Sequence, residues 1–335
     1  VARAPVARRY GRLVALRPVG SRPRPAGVFP AGAAWTDGDK GDSVDGMERP
    51  PGHMLRVGGV PLHVVCEGSG PVCVLSAGLG MGWFDWEPVV PLLTDHRTVV
   101  RFDRPGLGFS APPLEPPTAA GEAARIAGVL DALGLKEPAT VVGHSLAGFH
   151  AEAFARLHPE RTAGIVLVDS SVEDEPRPAP ARELRTTAAH ARGLVLAATG
   201  LPRALGPSLR KLTVRAASVT RQDPASAELV RRTYGTGRVL RALLMENARY
   251  RDVAAELHEL RDRHPMPPVP VTVLAASPGT GSAVERRWLE RQRALATRLD
   301  GRFEAVAPAG HLLMYDRPQS IAAAVLAMPM MPEGT

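Results

Sequence analysis

The sequence predicts an α/β fold: a mostly parallel, doubly wound sheet of about eight strands, interrupted by a helical lid insertion. Two observations carry this. Short runs that are apolar on both faces, such as "VCVLS" and "GIVLVDS", alternate with segments of helical spacing. That is the pattern of a parallel sheet covered on both sides. The rhythm then stops between residues 172 and about 266, where no strand-like run occurs and the chain is arginine-rich, helical in pattern and broken by prolines.

Taken in order, "HMLRVGGVPLHVVCE" reads as two strands joined by Gly58-Gly59, a hairpin signal. Val72 to Ser76 is a buried strand that ends in a glycine loop. Arg97 to Phe102 is a strand followed by the Pro/Gly turn of "DRPGLGFS". Thr118 to Leu133 has helical spacing. "ATVVGHS" is a strand, and an alanine-rich helix runs from Ser145 to Leu157, stopped by His158-Pro159. After the insertion, "VPVTVLAAS" resumes the sheet at Val269. A helix through "AVERRWLERQRALATRL", the strand "RFEAVAP" and a last helix from about Arg317 complete it. Residues 51–171 and 267–335 thus form the core, and residues 172–266 the lid.

Charge locates a separate segment. The chain carries 41 bases against 34 acids, and seven arginines with no acid lie in residues 1–30, so the remainder is neutral. Residues 1–50 read as a disordered basic leader or as the result of a mis-set start. A neutral body, and arginines without interleaved aromatics, predict no nucleic-acid partner. No run of eighteen apolar residues occurs, so no membrane span is expected. Cys66 and Cys73 alone make no disulfide framework, which favours a reduced, cytoplasmic setting. The oligomeric state is not legible.

The stretch "VVGHSLAGFH" places Ser145 between a strand and a helix, among Gly143, Ala147 and Gly148. A serine there is either a helix cap or a hydroxyl held out to react. Strand, Gly-His-Ser-Leu-Ala-Gly, helix resembles the nucleophile elbow of the α/β-hydrolase superfamily. Such an elbow forces the serine to positive φ and needs small neighbours. The superfamily more often has glycine where Ala147 stands. "DRPGLGFSAP" resembles its structural glycine turn. "PAGHLLMYDRP" places His311 where its catalytic histidine lies. "SAGLG" stands where it usually has His-Gly, so the histidine is missing.

The resemblance implies Ser145 as nucleophile and His311 as general base, with the backbone amides of Leu79 and Leu146 as the oxyanion hole. The acid is the open position. No Asp or Glu follows the strand after the lid until Glu285. Asp169, at the end of "GIVLVDS", is the alternative some members use and is preferred here; Glu173, Asp174 and Glu285 remain candidates. The other histidines read as packing or surface residues, with the His144 side chain directed away from the serine. Of Trp83, Phe84 and Trp86, at least two are expected to pack rather than line a pocket.

The implied function is acyl transfer from a small ester, lactone or thioester through a Ser-His-Asp triad, with no metal and no cofactor. A small-molecule substrate is the only partner this requires. The serine sets the chain apart from the members that use an aspartate nucleophile. C–C bond hydrolysis or perhydrolase chemistry on the same triad, or ligand binding without turnover, remain as alternatives. An acidic substrate held by the lid's arginines is a further one.

Overall fold

The computed structural model describes residues 50–328. The basic leader expected over residues 1–50 lies outside them but for its last position, as do residues 329–335.

Eight strands form one sheet: β1 (His53–Val57), β2 (Val60–Gly68), β3 (Val72–Ser76), β4 (Thr98–Phe102), β5 (Ala139–His144), β6 (Thr162–Val168), β7 (Val271–Ala276) and β8 (Arg302–Val306). The order across it is β1-β2-β4-β3-β5-β6-β7-β8. β1 pairs with β2, and β2 with β4, antiparallel; every other neighbouring pair is parallel. The hairpin turns on Gly58 and Gly59, both left-handed at φ 55° and 81°, which lets Val57 face Val60 directly.

The helices are α1 (Ala119–Ala132) and α2 (Ala147–Leu157), then α3 (Arg182–Ala198), α4 (Leu201–Ala217), α5 (Ala227–Tyr234) and α6 (Gly237–Arg263) between β6 and β7. α7 (Ala283–Arg298), α8 (Leu313–Asp316) and α9 (Pro318–Leu326) follow. α1 and α7 begin at serine or threonine caps: Thr118 accepts from the Gly121 amide at 2.9 Å, and Ser282 from the Glu285 amide at 3.2 Å. β7 starts at Val271 rather than Val269 because Pro270 has no amide to give to the ladder.

Inner strands are apolar on both faces because both faces are covered. Val141 belongs to the core cluster that includes residues of α1, α2 and α7, while its neighbour Val142 belongs to the cluster with Trp86 and residues of α9. Trp83, Phe84 and Trp86 are all buried, so all three pack rather than line a pocket.

The turn after β4 is built around the buried carboxylate of Asp103. It accepts from the amides of Trp83 and Phe109, each at 2.9 Å, and from His63 Nδ1 at 3.0 Å. Gly108 closes against it at φ 43°, and a Cβ there would lie 2.0 Å from Asp103 Oδ2. Gly108→Ala is expected to lower the unfolding free energy by about 3 kcal/mol, through overpacking and a strained φ. The shift in the urea midpoint at constant slope measures it.

Candidate active site

The chain leaves β3 for β4 on one side and places β5 on the other, so the sheet has a topological switch point between β3 and β5. Ser76, the last residue of β3, is in register with Gly143. The loop of residues 77–80 and the turn at Ser145 therefore leave the sheet side by side.

Ser145 has φ 52°, the left-handed region that an ordinary side chain avoids. Its amide donates to Val168 O at 3.1 Å, and its carbonyl accepts from Ser171 at 3.0 Å and Gly148 at 2.9 Å. The bend leaves no room beneath it. A Cβ on Gly143 would lie 2.3 Å from Ala147 O, and one on Gly148 would lie 1.9 Å from Ser170 Oγ. Helix α2 begins at Ala147, two residues later than the sequence pattern suggests, because Ser145 itself is not helical. No side chain caps α2, so Ser145 is not its cap.

Asp169 continues β6 at the same level and is also left-handed, at φ 42°. Its Oδ2 lies 2.6 Å from His311 Nδ1. Its Oδ1 accepts from the Ala276 amide at 2.9 Å and from Trp288 Nε1 at 2.7 Å. The other candidate acids go elsewhere. Glu173 accepts from Tyr250 at 3.2 Å, and Asp174 pairs with Arg291 at 3.3 Å. Glu285 folds back on the loop after β7, accepting from the Ser277 hydroxyl, from Thr280 at 2.7 Å, and from the amides of Gly279 and Gly281 at 2.9 and 2.8 Å.

His311 also leans on the elbow. The ring of His144, the residue before Ser145, packs against the His311 ring with centroids 4.7 Å apart. His144 Nε2 donates to His311 O at 2.9 Å. The His144 side chain thus supports the histidine loop. Burial first, and then the neighbouring His311, hold its pKa well below the usual imidazole value, so it stays neutral. Its Nδ1 is buried without a hydrogen-bond partner. A Cβ on Gly78 would come within 2.7 Å of that nitrogen, which explains the glycine in the loop after β3.

That loop is fastened by two residues that motif reading passes over. Arg104 follows Asp103 in the glycine turn, and its guanidinium donates to the carbonyls of Ala77 and Gly78, the latter at 2.7 Å. Glu246, from α6, accepts from Arg104 Nε at 2.6 Å and from the Gly80 amide at 2.8 Å. Carbonyls and flanking amide are thereby occupied around Leu79. Among the described residues, neither the Leu79 nor the Leu146 amide donates to a backbone carbonyl in the loops and turns.

The helices between β6 and β7 hold the histidine loop as well. Leu312 donates to Ala217 O at the end of α4 at 3.0 Å. Asp316 accepts from Ser218 at 2.6 Å, from the Val219 and Thr220 amides at 3.0 Å each, and from Gly310 at 2.8 Å. Burial alone would raise the Asp316 pKa, but the Ser218 hydroxyl and these amides outweigh it and hold it low. Further along α4, the buried Arg210 pairs with Asp85 at 2.6 Å and Asp223 at 2.9 Å, and donates to Tyr234 and Tyr315 at 2.8 Å each. Tyr234 in turn donates to Gly80 O at 3.0 Å.

Between these helices and the two loops lies a cavity of about 350 Å³. Leu79, Met81, Leu209, Val214, Leu243 and Leu312 are among its walls, and Arg210 is its one charged residue. With two carboxylates and two phenols already around it, that guanidinium is committed. Other arginines of these helices are committed too: Arg185 to Asp252, Arg261 to Glu152, and Arg238 to the carbonyls of the glycine turn.

Comparison with known proteins agrees with this architecture. A family model described as the alpha/beta hydrolase family matches residues 73–324. The chain is similar to 2-hydroxy-6-oxo-2,4-heptadienoate hydrolase of Pseudomonas putida, 36% identical over 121 residues, which are 35% of this chain and 44% of the relative. It is also similar to a soluble epoxide hydrolase of a Corynebacterium species, 32% identical over 117 residues, 35% and 41% of the two chains. The matched stretch thus spans less than half the length of these curated relatives. Among solved structures, Cfl2 of Burkholderia cenocepacia superposes with a TM-score of 0.64 at 22% identity, covering 82% of this chain and 94% of that one, a likeness of fold.

Glu285 sets a pH dependence. Its folded pKa is lowered to about 2 by the Ser277 hydroxyl, then Thr280 and the Gly279 amide. A carboxyl depressed on folding contributes stability that is present above its unfolded value, about 4.3, and is lost as pH falls toward the folded one. Wild type is therefore expected to exceed Glu285→Gln in thermal midpoint at pH 7, with the gap closing as pH drops from about 4 toward 2. Melting both proteins across that range measures it.

Proposed function

The chain belongs to the alpha/beta hydrolase family, and from that premise we propose that it is a serine hydrolase working by acyl transfer through Ser145, His311 and Asp169. The observation that carries this reading is the 2.6 Å contact of Asp169 with His311 Nδ1, on a histidine whose ring packs 4.7 Å from that of His144, the residue before Ser145 at φ 52°. A carboxylate on Nδ1 fixes that nitrogen as the donor and leaves Nε2 as the base.

In the proposed cycle, Nε2 of His311 takes the hydroxyl proton as Ser145 Oγ attacks the carbonyl carbon. The carbonyl π electrons move to oxygen, and the amides of Leu79 and Leu146 stabilise the oxyanion. Each such donor is worth about 3 kcal/mol in the transition state. The imidazolium, stabilised by Asp169, returns its proton to the departing alkoxide or thiolate. Water, deprotonated by the same nitrogen, then releases the acid. The positive end of α2 faces the developing charge. Neutral His144 adds no competing cation beside the imidazolium.

Ser145 and His311 are not among the cavity's wall residues, but Leu79 of the loop after β3 and Leu312, next to His311, are, and through them the cavity is taken as the substrate site. Its walls are apolar and its one cation is committed, so the fitting substrate is an uncharged ester, lactone or thioester with an apolar acyl group. The name of the Pseudomonas relative's substrate denotes a carboxylate. A carboxylate would need a free cation in this cavity, and the geometry favours the neutral ester.

A fluorophosphonate probe is expected to label the wild type and not Ser145→Ala. Asp169→Asn should lower kcat on a neutral p-nitrophenyl ester by about 10³- to 10⁴-fold, while Glu285→Gln stays within a few-fold. Folded protein that resists the probe would instead identify a ligand-binding member without turnover, and an inactive Glu285→Gln beside an active Asp169→Asn would reassign the acid.

A further inference from the structure

Of the thirteen large apolar side chains exposed among the described residues, eight lie within residues 184–219, on α3, α4 and their flanks. On α4 they are Leu201, Leu205, Leu209 and Leu212, between 41% and 60% exposed. Their spacing of four, four and three residues sets them on one stripe of the helix. Leu194 and Val195 of α3 add to the exposed surface. A scattering of single exposed leucines needs no explanation, but a stripe on one helix does.

Charge says what covers it. α3 and α4 hold one acid, Glu183 in the first turn of α3; beyond it residues 184–222 contain no aspartate or glutamate, against seven arginines and lysines. Arg185 and Arg210 are paired with acids elsewhere. Arg192, Arg203, Lys211 and Arg215 are exposed, and among the described residues none forms an ion pair. A leucine stripe bordered by bases, without acids, is the composition of a helix that lies in an anionic lipid interface. A second copy of the same face would set one base-rich surface against another, and a nucleic acid would leave the leucines in water.

We propose that α3 and α4 form a docking face for an anionic lipid surface. The leucines enter the boundary between headgroups and acyl chains, and the flanking bases meet the headgroup charge. The position is informative. Leu201, Leu205 and Leu209 also belong to the wall of the 350 Å³ cavity, so docking sets the mouth of that cavity against the apolar layer. Docking itself does not depend on the hydrolytic reading, and it is read here by binding alone.

The test is flotation of the full chain with vesicles of phosphatidylcholine, with or without about 30 mol% phosphatidylglycerol. Binding is expected to the mixed vesicles and not to phosphatidylcholine alone. The double variant Val195→Asp/Leu212→Asp changes two exposed residues outside the cavity wall. It should bind the mixed vesicles at least tenfold more weakly while keeping the wild-type melting point. Lys211→Glu/Arg215→Glu should lose the preference for anionic lipid. Because all variants keep the seven arginines of residues 1–30, undiminished binding by the aspartate variant would assign any lipid affinity to that segment and overturn the proposal. So would absence of wild-type binding, or a wild-type dimer in sedimentation equilibrium that Leu212→Asp converts to monomer.

Discussion

Asp169 is the point at which four parts of the molecule meet. It ends β6, accepts one hydrogen bond from the backbone amide of Ala276 in β7 and one from the indole of Trp288 on α7, and faces His311 from the last loop. A carboxylate that accepts several such donors is held in one rotamer, and its left-handed backbone is tolerated because those contacts over-determine it. Ser145 reaches the same level one strand away, tied to Val168 O. Two strained residues at the ends of neighbouring parallel strands thus set the height and direction of everything at this edge of the sheet.

Around that edge the polar groups divide into two sets. Arg104 and Glu246 secure the loop after β3, with carbonyls on one side of Leu79 and the Gly80 amide on the other. Arg210, Asp85 and Tyr315 join α4 to the same loop and to the segment after His311. Both sets use a buried arginine whose charge is matched by acids, since an unmatched one would cost several kcal/mol. The result is a largely apolar cavity whose polar bonds lie in its frame.

Much of this was legible in the sequence, and the limit has a physical cause. The eight strands and the elbow show because their signals are local: apolar runs, glycines at fixed offsets and a serine between them. The sequence favours Asp169 because no acid follows β7 until Glu285; in the structure Asp169 is the carboxylate that meets His311, while Glu285 is bonded within its own loop. What did not show is pairing across distance. Trp288 lies 119 residues from Asp169, and Glu246 lies 142 from Arg104. Arg104 sat inside a motif whose glycines drew the reading. The signal for Glu246 was at most an acid on the inward stripe of a long helix. The contact of the His144 ring with His311, 167 residues further on, is of the same kind.

The peptide groups on both sides of His311 are hydrogen-bonded. Leu312 is bonded to Ala217, and Gly310 reaches Ser218 and the two residues after it through Asp316. The far end of α4 is therefore part of the same clasp that positions the imidazole. Displacing the end of that helix as a rigid body would pull on the loop that carries His311, so the position of α4 and the contact of His311 with Asp169 are mechanically linked.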